Sequence, residues 1–367
     1  MIRRCSLALL MAVAACAPSR SAAPAATAAP VATPAQDSAA ALIEATLQRT
    51  GIPGAQVAVM RDGALLWSRG FGMADLEQQV PVTNLTRFRI GSVSKSLAAG
   101  GLLVLLAEGR VDLDADVRRY VPEFPAKPWP VTVRQVAGHT GGIRHYRHPG
   151  EFMSTTRYGS VVEALAPFSA DSLLFEPGTR YSYSTFGFTV VSAVMERAAG
   201  QPFLAFMQQR VFDPLAMTHT SADFSDSIVT HRARFYSRAD STRPRVNTAA
   251  VDNSIKWAGG GYVSTSEDIA RFADGVMAGR LVADSLVRLA WTPQRLRDGS
   301  ATSYGLGFFV AADSLGRRLV SHGGGAAGSR AQMLLYPDER LVVVMLWNAD
   351  FGGMPANRVA DFFRGGR

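Results

Sequence analysis

Cysteine is almost absent from this 367-residue chain, and its two copies, Cys5 and Cys16, lie within the first sixteen residues. A disulfide framework needs cysteines distributed through the folded part of a chain, and so does a cysteine–histidine metal cluster. The sequence therefore excludes both kinds of site from residues 17–367. We predict that the protein works without a metal ion or a cofactor.

Lysine is scarce as well. The chain has 38 lysines and arginines in total, but only Lys95, Lys127 and Lys256 are lysines. Arginine stays protonated in proteins, whereas a lysine that is buried beside suitable neighbours can lose its proton. A lysine kept among so many arginines is therefore what a general base would look like.

The sequence has no run of five or six like charges, although its net charge is +8. A nucleic-acid-binding surface needs basic residues clustered on one face, so we predict no nucleic-acid partner. A mild affinity for anionic surfaces remains open. Hydrophobic residues at 47% and charged residues at 19% indicate a globular protein, and the length allows one large domain or two smaller ones.

The amino terminus contains an apolar run that is too short to cross a bilayer. A basic start at residues 1–4 precedes an apolar stretch over residues 7–15, which is the pattern of a secretory signal. Small residues then lead to Cys16, which resembles the processing box of bacterial lipoproteins. We predict a lipoprotein signal peptide over residues 1–16 with lipidation of Cys16. The alternative is ordinary secretion with cleavage near Ala17.

Residues 17–36 are rich in Ala, Pro, Ser and Thr and have no apolar periodicity, so they are predicted to form an extended tether. The protein is therefore predicted to be exported to the periplasm and to contact a membrane only through its lipid anchor. Residues 37–367 are predicted to form the folded domain.

The folded domain has β-strand patterns near both of its ends and helical patterns between them. We predict a helix over residues 37–50, a hairpin of strands over 54–60 and 64–70, and a largely buried helix between Ser92 and Gly109. Residues 110–300 are predicted to form a mainly helical insert lobe, followed by strands over 304–311, 318–321, 330–336 and 341–347 and a helix over 355–363. This order predicts an α+β fold with one antiparallel sheet built from both ends of the chain and a site in the cleft between the lobes.

Ser92 and Lys95 lie three residues apart where the predicted helix begins, so their side chains can meet on one helix face. A serine hydroxyl is a weak nucleophile until a base takes its proton, and a desolvated lysine can be that base. The pair matches the Ser-x-x-Lys motif of penicillin-recognising enzymes. Alone, it could equally be a helix-capping serine followed by a solvated lysine.

Two later segments could complete a site. Tyr183 lies just before a predicted helix, and a tyrosine beside lysine cations can have its phenolate favoured and act as an acid or base. His322 is followed by three glycines at the predicted edge of a strand, where backbone amides can approach a substrate closely. Singly, Tyr183 could be a packed aromatic residue and the glycine segment a loose β-turn.

Taken together, these motifs resemble the serine β-lactamase and penicillin-binding-protein superfamily in its class C-like branch. The likeness is strongest to the subfamily of mitochondrial serine β-lactamase-like proteins and their bacterial relatives. It covers roughly residues 38–350 and rests on the segments 88–96, 120–125, 139–146, 183–187, 232–236 and 251–261. The resemblance implies a β-lactamase/transpeptidase-like fold, in which an antiparallel sheet is flanked by helices.

The resemblance also implies a role for each matching residue. Ser92 would be the acylated nucleophile, Lys95 its partner and Tyr183 an acid or base shared with Lys95; whether Lys95 or Tyr183 is the base stays open. His322 would head the third motif as a further catalytic residue. The backbone amides of Ser92 and Gly325 would form the oxyanion hole.

Two positions depart from the common superfamily pattern. Thr185 replaces the usual asparagine of the second motif, and Gly323 replaces the usual threonine of the third. The threonine hydroxyl helps to hold the substrate carboxylate in β-lactamases, so its absence argues against strong β-lactam hydrolysis. Thr185, Gly323 and Gly324 are predicted to contact the substrate.

The remaining histidines are predicted to have structural roles. His145 and His148 could pair on a metal, but no third ligand suggests itself, so we predict loop histidines near the cleft rim. His139 is predicted to hydrogen-bond its glycine turn. Lys256 and Trp257 could line the cleft or belong to a packed loop.

We predict a serine hydrolase that acts through an acyl-Ser92 intermediate on a peptide or a related amide or ester, with peptidase activity favoured. The alternatives within enzymes are a D,D-carboxypeptidase, a β-lactamase and an esterase. A rival of another class is a penicillin-binding or filament-forming assembly protein that does little chemistry, and a homo-oligomer is possible.

Overall fold

The computed structural model describes residues 32–240 and 242–364. The predicted signal peptide, the lipidation of Cys16 and most of the predicted tether lie outside the described residues and stay predictions. From Pro34 onward the chain forms one compact unit. Among the described residues, no helix combines the length and the apolar character that crossing a membrane requires.

The strands, in chain order, are β1 Gly54–Arg61, β2 Ala64–Asp75, β3 Val80–Pro81, β4 Phe88–Arg89, β5 Ser221–Ala222, β6 Tyr236–Ser237, β7 Val246–Asn247, β8 Tyr262–Ser264, β9 Phe309–Ala312, β10 Arg318–Ala326, β11 Ser329–Tyr336 and β12 Leu341–Trp347. Seven of them form one antiparallel sheet in the order β3-β2-β1-β12-β11-β10-β9. Because β1 pairs with β12 from Ala55↔Trp347 to Arg61↔Leu341, the sheet joins both ends of the chain, as predicted.

The helices are α1 Pro34–Thr50, α2 Val93–Ala107, α3 Val133–Ala137, α4 Pro149–Phe152, α5 Thr185–Ala199, α6 Phe203–Met207, α7 Trp257–Gly260, α8 Ser266–Met277, α9 Asp284–Ala290 and α10 Ala356–Arg364. Helix α2 is buried from Val93 to Leu105 and packs against α5 and α7, so the prediction of a largely buried helix is confirmed. A π-helical turn over Gln208–Phe212 follows α6.

The central strands of the sheet are apolar on both faces because helices cover both faces. In β1, Val57 and Val59 pack with α1 and α10 in one hydrophobic cluster. Ala58 and Met60, which point to the opposite face, belong to the larger cluster that contains α2, α5 and α8. Since side chains alternate across a strand, two packed layers require a nearly continuous apolar run, which β1 and β12 both have.

Several element boundaries differ from the sequence prediction, and strand β2 continues to Asp75 instead of ending at residue 70. Helix α1 begins at Pro34 instead of residue 37. Strand β9 begins at Phe309 because a turn with Gly307 at φ +78° interrupts the predicted strand. Strand β10 continues to Ala326 because its glycine run pairs in register with β11, so the interpretation of this run as a loose β-turn was wrong.

A buried carboxylate joins segments that are distant in sequence. Asp223 accepts hydrogen bonds from Arg89 Nε at 2.6 Å, Arg232 Nη1 at 3.0 Å and Asn253 Nδ2 at 2.8 Å. Its side chain is only 1% exposed. Arg232 and Asn253 lie in two of the segments that carry the resemblance to the subfamily. Their shared partner, Asp223, gives both residues a structural role.

Replacing Asp223 by alanine is expected to lower the free energy of unfolding by about 3 to 5 kcal/mol, because two arginines would lose a buried counter-ion. Asp226, whose side chain is 63% exposed and pairs with Arg157, is the control. Asp226→Ala should cost less than about 1 kcal/mol. Chemical denaturation of both variants measures the difference, and equal midpoints would contradict this account of Asp223.

Candidate active site

Ser92 lies where the loop before α2 meets strand β10, and the two backbones approach too closely for side chains. A Cβ atom on Gly324 would lie 1.9 Å from the Ile90 carbonyl oxygen. A Cβ atom on Gly91, whose φ is +50°, would lie 2.6 Å from the Gly325 carbonyl oxygen. Glycine is therefore required at both positions, and the contact brings Ser92 next to Gly325.

Lys95 lies one turn into α2 and is fully buried. Its Nζ is 3.0 Å from Ser92 Oγ, 3.2 Å from Thr185 Oγ1 and 2.6 Å from the Gly259 carbonyl oxygen. Burial lowers the pKa of Lys95 well below the usual range, and the positive charge of Lys256 lowers it further. The predicted meeting of Ser92 and Lys95 on one helix face is confirmed.

Two histidines position the segment that carries Tyr183. The Ser184 N–H donates to His139 Nδ1 at 3.2 Å, and the Thr185 N–H donates to His145 Nδ1 at 3.1 Å. Each Nδ1 must accept, so neither ring is protonated there. Burial, with the nearby Lys95 charge, lowers the pKa of His139 and lowers that of His145 to about 4.

The segment is therefore aligned by neutral imidazoles. His139 was predicted to bond its own glycine turn, and His145 was placed at the cleft rim. Both predictions missed the contact with the Tyr183 segment, since the two residues lie 45 and 40 positions before their partners in sequence.

Tyr183 contacts both members of the Ser92–Lys95 pair. Lys95 Nζ lies 4.8 Å from the centroid of its ring, and its hydroxyl interacts with the Ser92 hydroxyl. Burial raises the pKa of Tyr183, and the Ser92 hydrogen bond only partly offsets this. The prediction that lysine cations favour the phenolate was wrong, because burial that favours a neutral tyrosine also favours a neutral Lys95.

His322 is buried and has both ring nitrogens occupied. Its Nδ1 lies 2.7 Å from the Gly323 carbonyl oxygen and must donate to it, so Nε2, 3.0 Å away, accepts from the Tyr304 hydroxyl. Burial and the Lys95 charge lower the pKa of His322 to about 3. His322 is not among the residues that line the Ser92 cavity. The geometry is that of a neutral residue within the wall of the site, and the catalytic role of His322 stays a prediction.

The two amides predicted for the oxyanion hole are close to the nucleophile. The first three N–H groups of α2 donate to the carbonyls of the three residues just before the helix, whereas the Ser92 N–H has no acceptor among the described residues. Strand β9 pairs with β10 only over Arg318–Ser321, so no strand of the described residues pairs with the edge of β10 at Gly325 on that side. Both amides therefore stay predicted donors for an oxyanion.

A cavity of about 210 Å³ opens beside Ser92. Its lining comprises Ser92, His145, Tyr146, Phe152, Tyr183, Thr185, Lys256, Gly259, Gly260, Gly325 and Ala326. Gly323 and Gly324 line a different depression, which shares only Gly325 with this cavity. Thr185 lines the cavity, but it also accepts a hydrogen bond from Lys95, so part of its function is to hold the lysine.

One group of the site was not predicted from the sequence, and a second was predicted only as one of two alternatives. The Gly259 carbonyl accepts from Lys95, and only the glycine run after Trp257 could have suggested its close approach. Lys256, left open between cleft and packed loop, lines the cavity, whereas Trp257 packs edge-on against Phe224. The sequence feature that points to Lys256 is the scarcity of lysine, which singles out Lys256 as much as Lys95.

Metal-binding side chains are not gathered anywhere in the described part of the chain: no three His, Cys, Asp or Glu residues there could hold a metal ion together. His145, one half of the histidine pair considered from the sequence, already uses Nδ1 as the acceptor for Thr185.

Comparisons with known proteins agree with this geometry. The beta-lactamase family model matches residues 39–362. The human mitochondrial serine beta-lactamase-like protein LACTB is 30% identical over 397 residues, covering 83% of this chain and 72% of that protein. A D-aminopeptidase of Cereibacter sphaeroides is 30% identical over 302 residues, covering 81% of this chain and 57% of the relative.

Solved structures share the fold. A D-stereospecific amidohydrolase from Streptomyces sp. superposes with a TM-score of 0.75 at 26% identity, covering 90% of this chain and 99% of that chain. The octameric penicillin-binding protein homologue of Pyrococcus abyssi has a TM-score of 0.75 at 20% identity, covering 89% of this chain and 76% of that one. The predicted β-lactamase/transpeptidase-like fold is confirmed.

Gly324→Ala is expected to destabilise the protein by about 1 to 3 kcal/mol and to displace Ser92, because the added methyl group meets the Ile90 carbonyl. Gly323→Ala is the control, since the atom nearest to its added Cβ is 3.9 Å away. Thermal unfolding and fluorophosphonate labelling of Ser92 report the two effects. Similar behaviour of the two variants would contradict the close-contact argument.

Proposed function

The chain belongs to the beta-lactamase family, and from that premise we propose that it is a serine hydrolase whose Ser92 is acylated during turnover. The observation that carries the proposal is the 3.0 Å approach of Lys95 Nζ to Ser92 Oγ inside a fully buried environment. No carboxylate forms an ion pair with Lys95 among the described residues, so no counter-ion there stabilises its ammonium form.

A neutral Lys95 is well oriented as the base. In the neutral amine two N–H groups remain, and the Gly259 carbonyl and Thr185 hydroxyl are placed to accept them. The nitrogen lone pair is then directed at Ser92, whose hydroxyl donates to it. Ser92 Oγ attacks the substrate carbonyl as its proton passes to Lys95, and the amides of Ser92 and Gly325 hold the oxyanion.

Tyr183 is proposed as the acid for the leaving group. Its raised pKa keeps the hydroxyl protonated, and its position beside both Ser92 and Lys95 lets it pass a proton to the departing amine and recover one from Lys95. Water then attacks acyl-Ser92 by the reverse proton path and releases the acid. All proton transfers thus involve groups that lie next to one another at the Ser92 end of the cavity.

We propose an amide bond, most simply in a peptide, as the substrate. The names of two relatives, a D-aminopeptidase and a D-stereospecific amidohydrolase, support amide hydrolysis. Gly323 removes the hydroxyl that helps β-lactamases hold a carboxylate, which lowers the case for a β-lactamase or a D,D-carboxypeptidase. An esterase would use the same acyl-Ser92 chemistry.

The localisation and the oligomeric state of the protein stay proposals. A periplasmic lipoprotein rests on the sequence pattern before Cys16, and the bacterial relatives are compatible with it, whereas LACTB is named as mitochondrial. The possible homo-oligomer is supported by the resemblance and by the octameric state that is named for the Pyrococcus abyssi homologue. The assembly role is the weaker alternative, because Ser92, Lys95 and Tyr183 meet with reactive geometry.

Lys95→Arg is expected to slow labelling of Ser92 by a fluorophosphonate about 100-fold or more, because arginine keeps a cation in place but cannot take the serine proton. Lys127→Arg is the matched control, since Lys127 Nζ donates to the Ser169 and Asp171 carbonyls away from the cavity. Adducts are mapped by mass spectrometry on the full-length protein, with Ser92→Ala as the blank.

The pH profile of the same reaction gives a second test of Lys95. The base is the neutral amine, so the labelling rate should rise with pH and level off below the usual lysine range near 10.4, since burial lowers the pKa of Lys95. A rate that rises through that range, or no adduct on folded protein, would contradict the proposal.

Gly323→Thr restores the hydroxyl that the superfamily commonly has, at a position with space for a side chain. We expect acylation of Ser92 by a penicillin to become faster, by about 10-fold if the hydroxyl gains a hydrogen bond to the carboxylate. Gly323→Val, which has a similar shape without the hydroxyl, is the control. An equal change in both variants would show that Gly323 does not determine this preference.

A further inference from the structure

The glycine run of strand β10 carries the Gly325 amide, but packing does little to hold that amide in place. A Cβ atom added to Gly325 would meet nothing within 4 Å, and one added to Gly323 would meet a single atom at 3.9 Å. Only Gly324, between them, is in close contact with a neighbouring backbone. Glycine has the largest conformational freedom of any residue, so this segment needs another restraint if its amide is to hold an oxyanion.

No strand in the described part of the chain supplies that restraint. Ala326 pairs with Ser329 across a two-residue turn, so Ala326 directs its N–H and C=O groups at β11. Backbone groups alternate between the two edges of a strand, so the Gly323 carbonyl and the Gly325 amide both point to the opposite edge. Strand β9 covers that edge only as far as Ser321.

A side chain of the same strand supplies the restraint. His322 Nδ1 lies 2.7 Å from the Gly323 carbonyl oxygen and donates its hydrogen to it. The ring is neutral, so its other nitrogen accepts, and it accepts from the Tyr304 hydroxyl at 3.0 Å. This second hydrogen bond keeps the imidazole in the tautomer that can donate to the carbonyl. Because the Gly323 carbonyl and the Gly325 amide are consecutive groups on one edge, fixing the first limits the rotation of the second.

Tyr304 is itself held in place. Its side chain is fully buried, and its ring centroid lies 4.5 Å from that of His139 and 4.8 Å from that of Phe309. Its carbonyl accepts from the Gln294 N–H at 2.8 Å. Burial raises the pKa of Tyr304, so the hydroxyl keeps the hydrogen that it donates. The hydroxyl is therefore a fixed point on which the ring of His322 is aligned.

We propose that Tyr304 is a positioning residue for the oxyanion hole. Through His322 it fixes the Gly323 carbonyl, and the next group on that edge, the Gly325 amide, is held in direction as a result. Neither Tyr304 nor His322 lines the Ser92 cavity, so both act without contact with the substrate. The inference rests on the proposed function, because an oxyanion forms only when Ser92 attacks a carbonyl.

The proposal also gives a reason for a neutral histidine at this position. A neutral imidazole donates at one nitrogen and accepts at the other, whereas the ammonium group of a lysine can only donate. His322 can therefore link the Tyr304 hydroxyl to a carbonyl oxygen, which a charged lysine in the same place could not do.

Two replacements of His322 separate the functions of its two ring nitrogens. The side-chain nitrogen of asparagine can take the position of histidine Nδ1, and that of glutamine the position of Nε2. His322→Asn therefore keeps a donor for the Gly323 carbonyl and loses the contact with Tyr304, whereas His322→Gln does the reverse. We expect Ser92 to react with a fluorophosphonate about 10-fold more slowly in His322→Asn and about 100-fold more slowly in His322→Gln.

Tyr304→Phe removes only the hydroxyl, and we expect it to slow the same reaction about 10-fold. The loss should lie in the inactivation rate constant kinact, with the apparent affinity KI for the probe unchanged, because the oxyanion hole acts on the transition state. Tyr336→Phe is the matched control, since it removes a buried hydroxyl that donates to Asn357 at the far end of β11. It should react like the unsubstituted protein. Thermal unfolding shows whether each variant is folded at the assay temperature.

A histidine NMR spectrum tests the hydrogen bonds without any reaction. Protein made with isotope-labelled histidine contains six labelled rings, and the signals of His322 are those missing from His322→Asn. We expect His322 to carry its proton on Nδ1 at pH 7, in a neutral ring, because its pKa is lowered to about 3. In Tyr304→Phe the Nε2 signal should move to the range of a nitrogen without a donor, whereas Tyr336→Phe should leave it in place.

A proton on Nε2 of His322 would overturn the proposal. So would a His322→Gln variant that reacts as fast as His322→Asn, or a Tyr304→Phe variant with the rate of the Tyr336→Phe control. The proposed function fails by a different result, which is the absence of a fluorophosphonate adduct on Ser92 in the unsubstituted protein. The histidine spectrum would then still decide whether Tyr304 and the Gly323 carbonyl hold the ring of His322 between them.

Discussion

The close contact between the backbone at Ile90–Gly91 and the backbone at Gly324–Gly325 is the constraint on which the site depends. It leaves no space for a side chain at Gly91 or Gly324, so the start of α2 lies directly against strand β10. One result is the position of Ser92 beside the free edge of that strand. Another is the burial of the first turn of α2, which removes Lys95 from water.

That burial determines the electrostatics of the whole site. An ammonium group loses its hydration when it is buried, so the pKa of Lys95 falls, and the same environment raises the pKa of Tyr183. The three histidines near the pair, His139, His145 and His322, are neutral for the same reason. Burial away from water thus makes Lys95 available as a base and Tyr183 as an acid, and neither residue needs a carboxylate beside it.

The different roles of arginine and lysine in this protein follow from the same effect of burial on charge. Arginine keeps its charge when partly buried and can pair with a carboxylate through two N–H groups, as Arg144 does with Glu151 while its Nε donates to Asp171. The structural ion pairs of the described residues use arginine in this way. Lysine is left for a position where a proton must move, which is how we interpret Lys95.

Much of this protein was determined by the sequence itself. The alternation in β1 and β12, the apolar α2 and the spacing of Ser92 and Lys95 are local patterns, because helix and strand periods place neighbouring side chains on known faces. They were sufficient to predict the sheet from both chain ends and the Ser92–Lys95 pair. The glycine run at 323–325 was recognised, but not its continuation of β10, since pairing with β11 decides that.

The tertiary structure alone decided the charge states and the partners. The neutral state of Tyr183, the enclosed position of His322 and the contacts of His139 and His145 depend on burial and on residues tens of positions away. The same is true of Lys256, whose place in the lining of the cavity is visible only in the folded chain. Sequence spacing reports which residues share an element, whereas desolvation is a property of the assembled fold.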